Sequence, residues 1–125
     1  LLHETLARLD GAEIAEPIEP ETVVRRAGGG DPRAREAVAL FLDGLATAAG
    51  NLALTLGASG GVYLCGGILP RLGALLDPAA FRRRFEGKGR FAEYLAAIPT
   101  YLVTAEEPAL RGLAFMVRQR HPRGR

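Results

Sequence analysis

Apolar positions along the chain recur mostly at helical spacing. Leu2, Leu6 and Leu9 stand at i, i+4 and i+7 and predict a helix over residues 2–9. Residues 10–20 are polar and carry prolines, and they form a connection. Glu21 to Ala27, after Pro20, has room for two helical turns and runs into Gly28, Gly29 and Gly30. Three glycines in a row supply left-handed backbone at little steric cost, so a bend or hinge is expected there. No strand precedes that loop, which argues against a phosphate cradle.

Asp31 and Pro32 open the longest periodic segment, residues 32–56. Asp is a favoured N-cap and Pro a favoured first helical residue. Val38, Phe41, Leu42, Leu45, Leu52 and Leu56 keep the helical period, and Gly57 supplies a stop. Twenty-five residues make a rod of roughly 37 Å. Gly44 and Gly50 each weaken a helix interior by about 1 kcal/mol. They make sense where another backbone packs closely. The half from Leu45 to Leu56 is apolar nearly all round, which predicts burial inside something larger.

Past Gly57 the period changes. Val62 to Cys65 is a short apolar run between Gly60-Gly61 and Gly66-Gly67. It predicts a strand covered on both faces, as in a parallel sheet. Leu69-Pro70 restarts a helix, so that residues 60–75 read as strand, glycine pair and helix. Asp77-Pro78 starts another, with Phe81 and Phe85 one turn apart, and helical pattern runs over 78–97 with a break at Gly87. Residues 100–103 predict a second strand and residues 108–119 a last helix. The tail, residues 120–125, is basic and expected to be flexible. The fold class predicted is α/β, helix-rich and with few strands. Two strands make a poor sheet. Further strands are therefore expected upstream of Leu1, and the chain, which begins mid-helix, is expected to be a piece of a longer polypeptide.

Composition narrows the classes. Of 125 residues, 48% are hydrophobic and 24% charged, an ordinary globular balance. No apolar run is expected to span a bilayer, which needs roughly 18 residues. The opening Leu1-Leu2-His3-Glu4 does not resemble a signal peptide. The net charge of +2 conceals a split, −4 over residues 1–31 and +6 over residues 81–125. The lone Cys65 has no partner for an internal disulfide, which suits a reducing compartment, the cytoplasm.

The candidate chemistry is mostly exclusion. Ser59 is the only serine and has no histidine nearby in sequence. His3 and His121 lie at opposite ends, and no metal-ligand spacing occurs. Lys88, the only lysine, lacks a phosphate-loop context, and no Gly-x-Gly-x-x-Gly is present. Cys65, in an apolar strand, is expected to be a small buried hydrophobe. One feature suggests a ligand. Gly66 and Gly67 end a buried strand just before the helix that Leu69-Pro70 restarts. Such glycines either serve a tight turn alone or let a planar or anionic ligand lie on bare backbone, with helix N–H groups favouring phosphate.

The stretch Gly50-Asn51-Leu52-Ala53-Leu54 through Gly66-Gly67-Ile68-Leu69-Pro70-Arg71 resembles bacterial glucokinases, which read GGNLAL, a glycine-framed apolar strand, and GGI-x-PR. Phe81 to Phe91 resembles the family's F-x-x-x-F-x-x-KGRF segment. Ile98 to Val103 resembles IPVYLI, and Pro108 to Gly112 resembles NPGLLG. The resemblance implies the C-terminal part, residues 1–119, of a ribonuclease-H-like, actin-like ATPase fold. It implies ATP and Mg²⁺ as cofactors, glucose as partner, and a cytoplasmic homodimer with no membrane or nucleic-acid role. It puts Gly66, Gly67 and Ile68 at the adenosine motif, with Asn51 and the long helix supporting the strand from behind. The D-x-GGT phosphate loop, the aspartate base and the sugar-holding residues are absent, so the chain alone is expected to be inactive. The alternative is a non-enzymatic helical interaction module whose basic surface would be Arg82, Arg83, Arg84 and the arginines of the tail. A solvated helix face explains those three arginines better.

Overall fold

A computed structural model describes residues 2–11 and 18–120. Most of the expected connection after residue 10 and nearly all of the basic tail lie outside the described residues. Six α-helices and two strands follow in the order α1 (Leu2–Leu9), α2 (Pro20–Gly28), α3 (Pro32–Leu56), β1 (Val62–Leu64), α4 (Pro78–Glu86), α5 (Ala92–Ala96), β2 (Thr100–Leu102) and α6 (Pro108–Arg120). Two 3₁₀ turns, Leu69–Leu75 and Gly89–Phe91, precede α4 and α5. The strands pair in parallel, with Val62 opposite Thr100, Tyr63 opposite Tyr101 and Leu64 opposite Leu102. The architecture is thus α/β, helix-rich, with a two-stranded parallel sheet among the described residues.

Helix α3 is the spine, and local chemistry sets both of its ends. The Asp31 carboxylate accepts the Ala34 N–H at 3.0 Å, and Pro32 occupies the first turn. Gly57 takes the left-handed conformation at φ 60° and its N–H donates to Ala53 O. The Ala34 bond holds the Asp31 carboxyl below its ordinary value of 3.8. A carboxyl depressed on folding stabilises the fold above its unfolded value, and the contribution is lost as pH falls through the folded one. Acid unfolding should therefore separate wild type from Asp31→Asn, whose amide oxygen still caps but does not titrate. Wild type will lose stability relative to the variant as pH falls below 3.8; parallel curves would refute the cap's role.

The packing face of α3 is not the one its leucines predict. Its buried residues are Ala34, Ala37, Val38, Ala46, Ala49, Gly50 and Ala53. Leu52 and Leu56 are exposed. Small side chains let α2 and α4 approach the axis closely, so alanine supplies the contact surface. One core cluster joins Ala46, Ala49 and Ala53 to Phe81, Phe85, Leu95 and Ile98, with Val62 and Leu64 of the sheet packed against it. A second joins Ala27, Ala34 and Val38 to Leu69 and Leu72. The same inversion holds in α1, where His3 and Ala7 are buried while Leu2 and Leu9 are exposed. By length and composition α3 is also apolar enough to cross a membrane, contrary to the expectation from its sequence. Its many alanines and leucines cause this; in this fold, however, its alanine face is packed inside.

Three further expectations are corrected. The segment after Ile68 is not an α-helix but a 3₁₀ turn broken at Gly73, φ 50°. The pattern over 78–97 divides into α4, a short 3₁₀ turn and α5. Arg83 and Arg84 are exposed, as a solvated face requires, but Arg82 is drawn into the structure. Arg82 Nη1 donates to Ile98 O at 2.8 Å, Nη2 donates to Leu95 O at 3.2 Å, and Nε donates to Glu86 Oε1 at 2.9 Å. Arg84 Nε donates to Thr47 Oγ1 at 3.0 Å.

Candidate functional site

Strand β1 delivers the chain to the glycine pair. Its start is fixed by close approach: Gly61, at φ 119°, lies where an added Cβ would stand 2.9 Å from the Tyr101 ring. Val62 N–H donates to Pro99 O at 2.9 Å, and Val103 N–H donates to Leu64 O at 2.9 Å. The strand is not covered on both faces within the described residues. Val62 and Leu64 face the core, whereas Tyr63 and Tyr101 are exposed and stack with ring centroids 4.9 Å apart. Strand β1 ends at Leu64, so Cys65 lies beyond it and is exposed, not buried as its apolar neighbours predict.

Gly66 turns the chain at φ 132°, a conformation that glycine adopts without strain. Neither Gly66 nor Gly67 has any atom within 4 Å of where a Cβ would be. The backbone there borders open space. Ile68 follows at φ −80° and caps the 3₁₀ turn Leu69–Leu75, whose Leu69 and Leu72 are buried. Seven residues of 3₁₀ turn do not make the helix dipole that a helix start at Ile68 would offer phosphate. What remains for a ligand is access to bare backbone. Asn51 does not support the strand from behind. It is exposed, and its carbonyl accepts the Thr55 hydroxyl at 2.9 Å. Ala49 and Ala53 back the sheet instead.

Two cavities share the wall formed by Pro20, Val24 and Ile68. The larger, about 300 Å³, lies between α1, α2 and α3 and is lined by apolar side chains and by His3. The smaller, about 160 Å³, opens between α2 and the 3₁₀ turn and is rimmed by Glu21, Arg25 and Arg71. Arg71 Nη1 donates to Glu21 Oε1, bridging the two elements across 50 positions of sequence. Of these residues only Ile68 is singled out by sequence, and Arg71 enters only as part of a motif. Glu21 and Arg25 sit on a helix that carries no motif, so no local pattern could have paired them with Arg71. Among the described residues no cluster of three His, Cys, Asp or Glu side chains could hold a metal ion.

The comparisons with known proteins agree with one another. The glucokinase family profile matches residues 1–120. The chain is 55% identical over 114 residues to a glucokinase of Chromobacterium violaceum, covering 91% of this chain and 33% of that protein. It is 51% identical over 114 residues to the bifunctional protein glk of Burkholderia pseudomallei, covering 91% of this chain and 18% of that protein. Its fold matches the crystal structure of a glucokinase from an Antarctic psychrotroph with a TM-score of 0.79 and 33% identity, over 94% of this chain and 37% of the other. The chain therefore spans about a third of the curated glucokinases it matches. The match runs through nearly the whole sequence, the glycine-framed strand and its 3₁₀ turn included, and the chain belongs to the glucokinase family.

Proposed function

We propose that this chain is the C-terminal, ATP-binding part of a glucokinase that phosphorylates glucose to glucose 6-phosphate, within a ribonuclease-H-like, actin-like ATPase fold. The observation that carries the proposal is the open backbone at Gly66 and Gly67, which follows a parallel strand and adjoins cavities walled by Ile68. Ligands of open α/β sheets bind beyond the carboxyl ends of strands, where this turn lies. Gly66 and Gly67 let a nucleotide approach the main chain, and Ile68 offers an apolar surface. By family resemblance the whole enzyme is a cytoplasmic homodimer.

The reaction needs more than a nucleotide wall. Phosphoryl transfer depends on positioning two substrates in line and on stabilising the charge that develops. Among the described residues no group of three His, Cys, Asp or Glu side chains stands together to hold a metal ion with protein ligands alone. The base, the sugar contacts and the metal contacts belong to the other two thirds of the enzyme.

The chain alone, incubated with glucose, ATP and Mg²⁺ in a coupled assay, will show no turnover above buffer. ATP at about a hundredfold excess over Kd will raise its Tm by roughly 5–10 °C. Robust turnover would overturn the inactivity, and a Tm indifferent to ATP would overturn the nucleotide reading.

A further inference from the structure

We infer that the chamber between α1, α2 and α3 is a binding site for a small, neutral, apolar molecule that carries a single hydroxyl group. The site is separate from the nucleotide reading above, since neither Gly66 nor Gly67 lines the chamber. Two observations meet there: a cavity of ligand size and a buried ring nitrogen without a partner among the described residues.

Protein interiors pack as closely as organic crystals, and voids larger than a water molecule are few. This chamber measures about 300 Å³. An engineered apolar cavity of about 150 Å³ takes up benzene, so twice that volume suits roughly ten to twelve non-hydrogen atoms. Val23, Val38, Phe41 and Leu72 are among its walls, supplied by α2, α3 and the 3₁₀ turn. Leu2 and Phe41 line it and are also exposed, which leaves a ligand a way in. None of the lining side chains is Asp, Glu, Lys or Arg. An ammonium or carboxylate there would shed its water with no permanent opposite charge to meet it. The occupant is therefore neutral.

His3 adds the polar requirement. It lies on α1, lines the chamber and is 6% exposed. Its Nδ1 is buried and has no hydrogen-bond partner among the described residues. A buried polar atom left unpaired carries a free-energy cost that a ligand group can relieve. A neutral imidazole has one donor and one acceptor nitrogen. A hydroxyl both donates and accepts, so it suits either tautomer, whereas a carbonyl oxygen accepts only. One hydroxyl on an otherwise apolar body matches one imidazole in an otherwise apolar wall.

The test uses thymol, an alkylated ring of this size with one hydroxyl, and para-cymene, which lacks only the hydroxyl. Titration calorimetry compares them on the chain, on His3→Phe and on Ala37→Leu. Wild type will bind thymol. The ratio of the two affinities, thymol over para-cymene, will be about tenfold higher in wild type than in His3→Phe, the size of one well-made hydrogen bond. Ala37→Leu, which extends a side chain from α3 into the chamber, will bind neither. Circular dichroism will show wild-type helicity in His3→Phe, so that variant reads the site even where the added leucine disturbs the fold. No binding of thymol by wild type, or a ratio that His3→Phe leaves unchanged, would overturn the inference. Thymol binding that survives Ala37→Leu would overturn it too, by moving the ligand to exposed apolar surface outside the chamber.

Discussion

Gly50→Ala will destabilise the protein by about 2–3 kcal/mol, whereas Gly44→Ala will stabilise it by up to about 1 kcal/mol. The two glycines sit in the same helix and differ only in what they face. A Cβ on Gly50 would stand 2.6 Å from the carbonyl oxygen of Phe85 and 3.1 Å from a Lys88 side-chain carbon. Lysine could yield, but the Phe85 carbonyl belongs to the backbone of α4, and Phe85 is itself fully buried. The added methyl must push α4 away from α3 and open the core around Phe81 and Phe85. The gain in helix propensity offsets only part of that cost. Gly44 meets nothing within 4 Å, so there the propensity gain stands alone. Chemical unfolding of the two variants beside wild type measures the contrast. Equal midpoints would show that the α3–α4 contact is looser than the geometry requires.

Arg82→Ala will cost about 3 kcal/mol, far more than an exposed arginine on a helix normally would. The Arg82 guanidinium donates to the carbonyls of Leu95, Ala96 and Ile98 where α5 ends, and Leu95 O also accepts the Ile98 N–H at 3.0 Å. The same group pairs with Glu86 one turn on, at 2.6 Å, and lies over the Phe85 ring at 4.8 Å. Removing it strands carbonyls at the junction of α5 with β2 and unpins α4 from both. Arg82→Lys will recover only part of the loss, because a single ammonium cannot span three carbonyls and a carboxylate. Thermal unfolding at matched concentration is the measurement. A loss no larger than that of Arg83→Ala, a neighbour without such bonds, would sink the assignment.

How much of this was legible depended on whether the signal was local. The ends of α3 were legible because Asp31, Pro32 and Gly57 act on their own neighbours. The strands were legible as apolar runs framed by glycine and proline, but the pairing of β1 with β2 was not, and the two-faced cover that suggested a parallel sheet is missing at Tyr63 and Tyr101. What failed was inference about which side faces inward. In α3 the leucines carry the period, yet the alanines are buried, because close helix contact rewards small residues more than large ones. Cys65 failed for a related reason: the strand stops one residue earlier, at the turn that Gly66 makes. The candidate site divides the same way. Gly66, Gly67 and Ile68 are contiguous and could be found by motif. Glu21, Arg25 and Arg71 come together only through the packing of α2 on the 3₁₀ turn, which nothing in either segment announces.

The stacked pair Tyr63 and Tyr101 has a practical consequence. The chain contains no tryptophan and three tyrosines, so its near-ultraviolet optical signal is carried chiefly by tyrosine. Two of the three chromophores lie 4.9 Å apart across the parallel strands and are close enough to couple electronically. The near-ultraviolet ellipticity of this protein is therefore a built-in gauge of one strand pair, able to report separation of the sheet while the helices, read in the far ultraviolet, are still intact.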